Sequence, residues 1–484
     1  MLFNSYEFIF LYLPLVFLLF FVCAKYCGRR LATFLLVLAS FFFYGWWDWR
    51  YVPLLFASIC FNYWIGGRIR LGVHRTGWLA AGIIGNLSLL GYFKYTGFFL
   101  STVNSLAGYA IFDVPHIVLP LGISFFTFTQ TAYLVEEYRG EAEPHSFLTY
   151  CEFVTIFLHL IAGPIIRHRD MIPQFVAEKN FSVDYKNIAY GITLFAMGLF
   201  KKTVIADYLS PWAGEVFSRT DSLTFFEAWI GALSYTFQLY FDFSGYSEMA
   251  IGLGLLFNLR FPVNFNSPYQ ATSMIDFWRR WHMTLGLWVR DYLYIPMGGN
   301  RGGEFGKMRN LFSSMLLIGL WHGAGWQFVF WGGTHGLLLM LNHQWRRLKI
   351  QLPKIISWGL TFLCVTVCWV FFRAENLHDA LNVLAAMTDV RKIVLPTDGF
   401  YEKYLSFLNG WGVAFAPWTL HVSLKRAAVT LAVLLLGLRF LPNPVALMDT
   451  KFCPNWKWST ATVIGLVLGI LHIAKNSPFL YFQF

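Results

Sequence analysis

Ionisable side chains inside apolar segments mark the places where this chain could do chemistry. His322 lies in the run LIGLWHGAGW, His282 in FWRRWHMTLG and Asp242 in LYFDFSGYSE. Because such side chains are costly to remove from water, each one is a functional candidate. A neutral imidazole in a dry pocket is able to accept a proton, so both histidines are candidate general bases. For both, a histidine that only packs and hydrogen-bonds is the alternative interpretation.

The residues on both sides of His282 are predicted to form one helix. Ser273 followed by Asp276 resembles a capping box and would start that helix. At about 100° per residue, His282 then falls on an apolar stripe, with Arg279 at its border. The other members of the stripe are Trp278, Leu285, Gly286, Val289 and Leu293.

Neither the histidines nor the cysteines are expected to form a metal site. His322, His335 and His343 are separated by 13 and 8 residues, which puts them on different helix faces. His335 and His159 are interpreted as packing histidines. The seven cysteines are too scattered for a zinc site or a disulfide framework.

A glycine-rich basic loop, PMGGNRGGEFGKMRN, occupies residues 296–310. Backbone N–H groups in such a loop can cradle phosphate, with Asn300, Arg301 and Lys307 beside them. The loop has neither the Walker pattern nor the strand–helix context of a dinucleotide fold, so by itself it is a weak signal.

The composition indicates that these residues are held within a membrane. Of the 484 residues 57% are hydrophobic and 20% aromatic, and only 13% are charged, about half the share of a soluble domain. This excludes a soluble globular enzyme, a disordered chain and a coiled coil. The net charge is +11, and the basic residues lie between the apolar runs, where they set the orientation of the spans in the membrane. Nucleic-acid binding is therefore not expected.

We predict roughly eleven membrane spans of about 20 residues each. Lys25, Arg29 and Arg30 follow the first apolar run, so the positive-inside rule puts the N-terminus outside the cytoplasm. The basic loop at 296–310 is predicted to be cytoplasmic. The apolar runs lie at 8–24, 32–47, 52–66, 78–100, 118–135, 149–166, 187–206, 225–257, 311–341, 355–373, 427–441 and 460–474.

Two segments do not fit simple spans. Residues 311–341 would form a helix about 47 Å long, against an apolar membrane core of about 30 Å. The glycines at which this helix can break are Gly323, Gly325, Gly332 and Gly333. The stretch 273–295 is apolar on one side and charged on the other. Irregular backbone at membrane depth is tolerated only inside protein or along a cavity, so both segments indicate an internal site.

The motifs FWRRWH (277–282) and LWHG (320–323) resemble the membrane-bound O-acyltransferase family, most closely the bacterial branch with the membrane subunit of alginate O-acetylation. Further motifs of that branch follow in the expected order: FFFYGWWDWR (41–50), NYWIG (62–66), GYFKYTGF (91–98), LPLGISFF (119–126), HLIAGPIIR (159–167), LYFDFSGYSEMAIGLG (239–254), RDYLYIPMGGNRGG (290–303) and LWHGAGWQFVFWGGTHG (320–336). The resemblance implies one domain over residues 1–484, an all-α polytopic membrane protein. Its transmembrane helices and broken helices would form a ring around a central funnel.

The resemblance also implies an O-acetyltransferase whose catalytic motifs span residues 277–336. His322 matches the essential histidine of the family, and His282 matches a second position that is asparagine in many eukaryotic members. Acetyl-CoA is the expected donor, with no tightly bound cofactor, and a periplasmic O-acetyltransferase is the expected partner at the bacterial inner membrane. The acceptor is a cell-surface polysaccharide, with alginate the nearest resemblance and peptidoglycan or cellulose left open. The residues expected to contact donor or substrate are Arg279, Trp281, Trp321, Asp242, Asn300 and Arg301.

An aromatic tail, NSPFLYFQF, occupies residues 476–484. An interfacial aromatic anchor is one interpretation of it. By analogy with D-alanylation systems, in which a short C-terminal aromatic motif is proposed to carry the acyl group, Tyr481 would be an acyl relay to the periplasmic partner.

A transporter or channel is the alternative function from another class. The polytopic topology and the intramembrane Asp, Arg and His residues support it. Against it, the sequence shows no repeated halves with paired interrupted helices.

Overall fold

A computed structural model describes residues 1–161, 163–397, 399–474 and 479–480. Helices make up 75% of the chain, so the predicted all-α class is confirmed. The first helices are α1 (Leu13–Tyr26), α2 (Arg29–Asp48), α3 (Val52–Arg70), α4 (Arg75–Leu90), α5 (Thr96–Ala107), α6 (Ile123–Arg139), α7 (Phe147–Thr155) and α8 (His168–Val176).

The middle of the chain carries the motif histidines. Its helices are α9 (Tyr185–Phe200), α10 (Asp207–Phe217), α11 (Phe225–Leu256), α12 (Met274–Arg280), α13 (Met283–Val289), α14 (Gly303–His322) and α15 (Trp326–Arg347). Those of the C-terminal part are α16 (Lys354–Arg373), α17 (Leu377–Thr388), α18 (Gly399–Leu405), α19 (Leu424–Phe440), α20 (Pro444–Lys451) and α21 (Trp456–Leu471). Two three-residue strands, β1 (Val394–Pro396) and β2 (Ala414–Ala416), pair in parallel with Val394 opposite Ala414.

Short helical turns of other geometry join or flank these helices. Turns of π-helix lie at Phe8–Tyr12, Gly91–Tyr95, Lys201–Ala206 and Arg290–Tyr294. Turns of 3₁₀-helix lie at Trp49–Tyr51, Glu178–Phe181, Thr220–Ser222, Pro268–Gln270, Val390–Lys392 and Ser406–Trp411. Because π-turns inside helices are frequent at functional sites, the two that join α4 to α5 and α9 to α10 are of interest for the site below.

Several helices are suited to a membrane. In the described part of the chain, five continuous helical segments are long and apolar enough to cross a membrane. The bent pair α19 and α20 would be a sixth if the two helices form one span. The five are Phe8–Tyr26, Arg29–Arg70, Arg75–Ala107, Tyr185–Phe217 and Lys354–Arg373. The chain is thus a multi-pass membrane protein, whereas the count of about eleven spans stays a prediction.

The predicted span at 149–166 is wrong. α7 ends at Thr155, and residues 156–161 and 163–167 continue as largely buried, irregular backbone. Side chains of distant segments satisfy part of this backbone, since the N–H of Phe157 donates to Ser40 Oγ (3.2 Å) and that of Ile165 to Thr284 Oγ1 (3.1 Å). Surrounding protein therefore supplies the partners that lipid would not.

The predicted break of the overlong segment is confirmed at Gly323–Gly325. α14 ends at His322 and α15 begins at Trp326, so the two helices form a hairpin. Gly332 and Gly333 do not break α15. Gly332 instead lets the hairpin pack closely, because a side chain there would overlap the carbonyl oxygen of Met315 on α14.

The long helix α11 forms the centre of the packing. It is buried along most of its length and packs against α9, α10, α16 and α17. Gly198 of α9 faces Gly245 of α11, and a side chain at either position would overlap the carbonyl oxygen of the other. At the N-terminus, Phe3 is fully buried and stacks on Tyr246 of α11, with ring centroids 4.7 Å apart.

Candidate active site

His322 is the last residue of α14 and is only 5% exposed. Gly323 follows in extended conformation and turns the chain towards α15. The rings of Trp321, Trp331 and Phe372 surround the imidazole, with centroids 4.9, 5.1 and 5.1 Å from it. The hairpin break thus places a histidine at a helix end inside an aromatic enclosure.

A pocket opens beside His322. The turn before α6, a lysine of the π-turn between α4 and α5, and Trp47 of α2 form its other walls. Its lining consists of Trp47, Lys94, Leu119, Pro120, Leu121, Gly122, Ile123, Ser124, Phe125, Ile161, Trp321 and His322. Two of the predicted site residues, Trp321 and His322, therefore line one cavity.

His282 does not lie on a helical stripe, so that prediction is wrong. α12 ends at Arg280, and His282 follows in the left-handed region with φ 44° and ψ 54°, directly before α13. The predicted cap is present, because Ser273 Oγ accepts from the N–H of Asp276 (3.1 Å). Periodicity across residues 273–295 failed because the chain kinks at the histidine itself.

A polar cluster around Asn264 fixes the orientation of His282. The amide oxygen of Asn264 lies 3.0 Å from Nδ1 of His282 and also accepts from the hydroxyl of Thr284 (2.9 Å). The amide nitrogen of Asn264 donates to Ser247 Oγ (3.3 Å), which sets the direction of the amide. In a neutral His282 the proton is therefore on Nδ1, and Nε2 is the acceptor.

Trp321 connects the two histidines. Its ring centroid lies 4.9 Å from that of His322 and 6.5 Å from that of His282. On its other side it stacks on Phe128, which in turn stacks on Trp288 at 3.8 Å. The motifs FWRRWH and LWHG, which are separate in sequence, thus meet around one indole.

Asp242 belongs to a buried ion-pair cluster. Its Oδ1 lies 2.7 Å from Nζ of Lys202, and the same ammonium lies 2.7 Å from Asp207. The neighbouring Phe243 contacts the ring of His282 at 4.8 Å. Asp242 is therefore next to the His282 side of the site and does not line the pocket at His322.

The beginning of the aromatic tail packs into the interior. Phe479 is 1% exposed and lies 4.5 Å from the ring of Tyr246, and the N–H of Leu480 donates to Asp242 (3.2 Å). For these two residues an interfacial anchor is wrong, because they contact α11. Tyr481 lies outside the described residues, and its role stays a prediction.

The other predicted contact residues are not at the pocket. Trp281 is buried among Phe265, Phe277 and Trp369, and Arg279 is exposed at the end of α12. Asn300, which accepts from Tyr294 (2.6 Å), and Arg301 are exposed in the glycine-rich loop. Of the predicted loop 296–310, residues 303–310 instead form the first turns of α14, and only residues 296–302 precede the helix. About 28 Å of helix therefore separates Arg301 from His322.

Near the glycine-rich loop, Asp291 forms ion pairs with two arginines. It lies 2.6 Å from both Arg167 and Arg290. Burial alone would raise its pKa, but the hydrogen bond from Arg290 and the charge of Arg167 hold the pKa of Asp291 below its ordinary value. Asp291 therefore stays ionised, whereas Arg301 of the loop is exposed to solvent.

His335 and His159 have the packing roles predicted for them. Nδ1 of His335 accepts from the indole N–H of Trp278 (3.2 Å), and Nε2 of His159 bonds the carbonyl of Phe153 (3.0 Å). Within the described ranges, no group of three or more His, Cys, Asp or Glu side chains could hold a metal ion.

The sequence-based set lacks Lys94, which lines the pocket, and Asn264, which lies beside His282. Lys94 stands alone in an apolar run, so the criterion that selected the histidines would also have selected it. Asn264 gave no such signal, because its place beside His282 depends on the loop between α11 and α12.

Both motif histidines lie within a stretch of the chain that is similar to known proteins. Residues 74–373 match the model of the MBOAT, membrane-bound O-acyltransferase, family. A peptidoglycan O-acetyltransferase of Helicobacter pylori is 42% identical over 100% of this chain and 98% of its own length. A protein of Pseudomonas putida named "Probable alginate O-acetylase AlgI" is 40% identical over 100% of both chains. A teichoic acid D-alanyltransferase of Streptococcus thermophilus is 28% identical over 48% of this chain and 59% of its own.

Proposed function

The chain belongs to the membrane-bound O-acyltransferase family, and from that membership we propose that it moves acetyl groups from acetyl-CoA across the membrane for the O-acetylation of a cell-surface polysaccharide. The observation that carries the proposal is the meeting of His282 and His322 around Trp321, beside a pocket. Two full-length relatives are named for O-acetylation of peptidoglycan and of alginate, so these are the first acceptors to test. Family membership favours this enzyme over the transporter or channel alternative.

The proposed chemistry is attack of a hydroxyl on a thioester. His322 takes the hydroxyl proton as the oxygen attacks the acetyl carbonyl, because a hydroxyl is a weak nucleophile at neutral pH. A C–O bond forms and the C–S bond breaks, and the proton passes from His322 to the leaving thiolate of coenzyme A. The aromatic rings around His322 exclude water that would compete for the acetyl group.

The two substrates are proposed to approach from opposite sides. The pocket at His322 is bounded by Trp47, at the end of the second apolar run, and by residues 119–124. If the N-terminus lies outside the cytoplasm, the second run also ends outside it, which places Trp47 on that side. The glycine-rich loop with Arg301 is at the far end of α14 and is predicted to be cytoplasmic. The phosphates of coenzyme A would bind at this loop while its thioester reaches towards His322.

His282 is proposed to orient the acceptor. Its Nδ1–H is engaged by Asn264, so a neutral His282 offers Nε2 as a hydrogen-bond acceptor. An oxyanion needs a donor, which this tautomer lacks on Nε2. Of the two roles considered, the geometry therefore favours orientation over donation to the oxyanion.

The variant His282→Asn is expected to keep a measurable part of the acetyl-transfer rate. Asparagine adopts left-handed backbone more readily than other non-glycine residues, and its amide can donate to Asn264. His282→Ala removes both properties and should lose more activity. The measurement is kcat for both variants in detergent, normalised to folded protein. Complete loss in His282→Asn would instead identify His282 as a second proton acceptor.

The function is tested in proteoliposomes with purified protein. We expect acetyl-CoA to release free coenzyme A, measured with a thiol reagent, when an oligouronate or a peptidoglycan fragment is present on the other side. Empty liposomes are the control for spontaneous hydrolysis. Uptake of labelled acetyl-CoA without thiol release would support a transporter, and release without acetylated product would show that a separate transferase is needed.

A periplasmic O-acetyltransferase is proposed as the partner that completes the transfer. The seating of Phe479 and Leu480 beside Asp242 supports a tail that enters the site, with Tyr481 as the next residue. We also propose the bacterial inner membrane as the location, with the N-terminus periplasmic.

A further inference from the structure

The end of α14 needs hydrogen-bond partners because His322 is its last residue. The final four carbonyls of a helix have no partner within it, and the last turn frays unless something binds them. The carbonyl of Gly319 accepts from the N–H of Gly323 (3.3 Å). This leaves the carbonyls of Leu320, Trp321 and His322 to be satisfied from elsewhere.

Two consecutive residues of the π-turn between α4 and α5 bind these three carbonyls. The hydroxyl of Tyr95 donates to the carbonyl of Leu320 (2.7 Å). The ammonium of Lys94 donates to the carbonyls of Trp321 (2.5 Å) and His322 (3.1 Å). The contacts join residues more than 220 positions apart, since Tyr95 and Leu320 are separated by 225.

Lys94 lines the pocket, but its N–H groups are all engaged by protein acceptors. Its third contact is Ser124 Oγ at 3.4 Å, so its three N–H groups all have protein acceptors. When Lys94 is protonated, its positive charge lies at the negative end of the α14 dipole, which stabilises the charge and the end of the helix. Lys94 therefore contacts the backbone that carries His322 and is not suited to bind substrate directly.

We propose that Lys94, assisted by Tyr95, is a positioning residue that holds the imidazole of His322 in its reactive place. This inference rests on the proposed function, in which His322 takes the hydroxyl proton. His322 can shift with the last helical turn, because extended Gly323 follows it immediately. A displacement of about 1 Å is enough to cost about 10²-fold in rate, so the three hydrogen bonds from Lys94 and Tyr95 to this turn affect turnover.

The test compares Lys94→Met, Lys94→Arg and Tyr95→Phe with the matched control Tyr92→Phe. Tyr92 belongs to the same π-turn but is 59% exposed, so its hydroxyl should not matter. We expect Lys94→Met to lower kcat by about 10–100-fold, with KM for acetyl-CoA unchanged. Lys94→Arg keeps the charge and donors and should recover most of that loss, and Tyr95→Phe should show a smaller decrease in kcat.

Three outcomes would overturn the inference. The first is a wild-type kcat for Lys94→Met. The second is a decrease in the activity of Lys94→Met that is fully explained by a decrease in its amount of folded protein. The third is a rise in KM without a change in kcat, which would make Lys94 a substrate contact. Failure of the proposed function is distinguishable, because it would appear as activity retained by His322→Ala.

Discussion

Replacing His322 with alanine is expected to lower acetyl transfer by about 10²–10⁴-fold, the usual contribution of a general base. The physical reason is that no proton acceptor would then meet the attacking hydroxyl at the wall of the pocket. The protein should still fold, since the imidazole is held by aromatic contacts that a smaller residue weakens only locally. Release of coenzyme A with acceptor present is the measurement.

His335→Ala is the matched control for this experiment. His335 is fully buried and packs against the same indole of Trp331, at 4.8 Å compared with 5.1 Å for His322. Its removal leaves the indole N–H of Trp278 without an acceptor and should lower stability by about 1–3 kcal/mol. Turnover per folded molecule should remain close to wild type. Equal losses of turnover in the two variants would mean that His322 only packs.

The variant Lys202→Met should destabilise the protein by about 3–5 kcal/mol, the cost of breaking a buried ion pair from one side. Its ammonium lies 2.7 Å from both Asp242 and Asp207, and the side chains of Lys202 and Asp242 are 3% and 1% exposed. Without the ammonium, two carboxylates remain close together away from water. The thermal midpoint in detergent, followed by tryptophan fluorescence, reports the effect.

Lys186→Met provides the control for Lys202→Met. Lys186 is an exposed lysine of α9, in the same continuous helix, so its replacement should change stability by no more than about 0.5 kcal/mol. The double variant Lys202→Met with Asp242→Asn removes the uncompensated charge and should recover part of the loss. If Lys202→Met were as stable as Lys186→Met, the cluster would not contribute to the fold.

Local patterns predicted those features that depend on neighbours in the sequence. The break at Gly323–Gly325, the cap at Ser273 and the apolar helices all follow from short-range propensity. The pairing of the two motif histidines was implied by a family resemblance, and the structure brings both rings to Trp321.

Features that depend on distant segments were not predictable in this way. The left-handed link at His282 breaks a helix that periodicity would continue, and Asn264, from the preceding loop, stabilises it. The run at 149–166 is apolar enough for a span, yet Ser40 and Thr284 pair with its irregular backbone. The same reason explains Lys94, whose partners lie on α14.

The position of Tyr246 between Phe3 and Phe479 affects how the protein is made. The ring of Tyr246 lies 4.7 Å from that of Phe3 and 4.5 Å from that of Phe479. During synthesis Phe3 is made long before α11, so it cannot contact Tyr246 until α11 has been made. Phe479 is made after the described helices α1 to α21. The contacts around Tyr246 are therefore completed only after the helices from α1 to α21 have been made, and earlier intermediates expose this aromatic surface to chaperones and proteases.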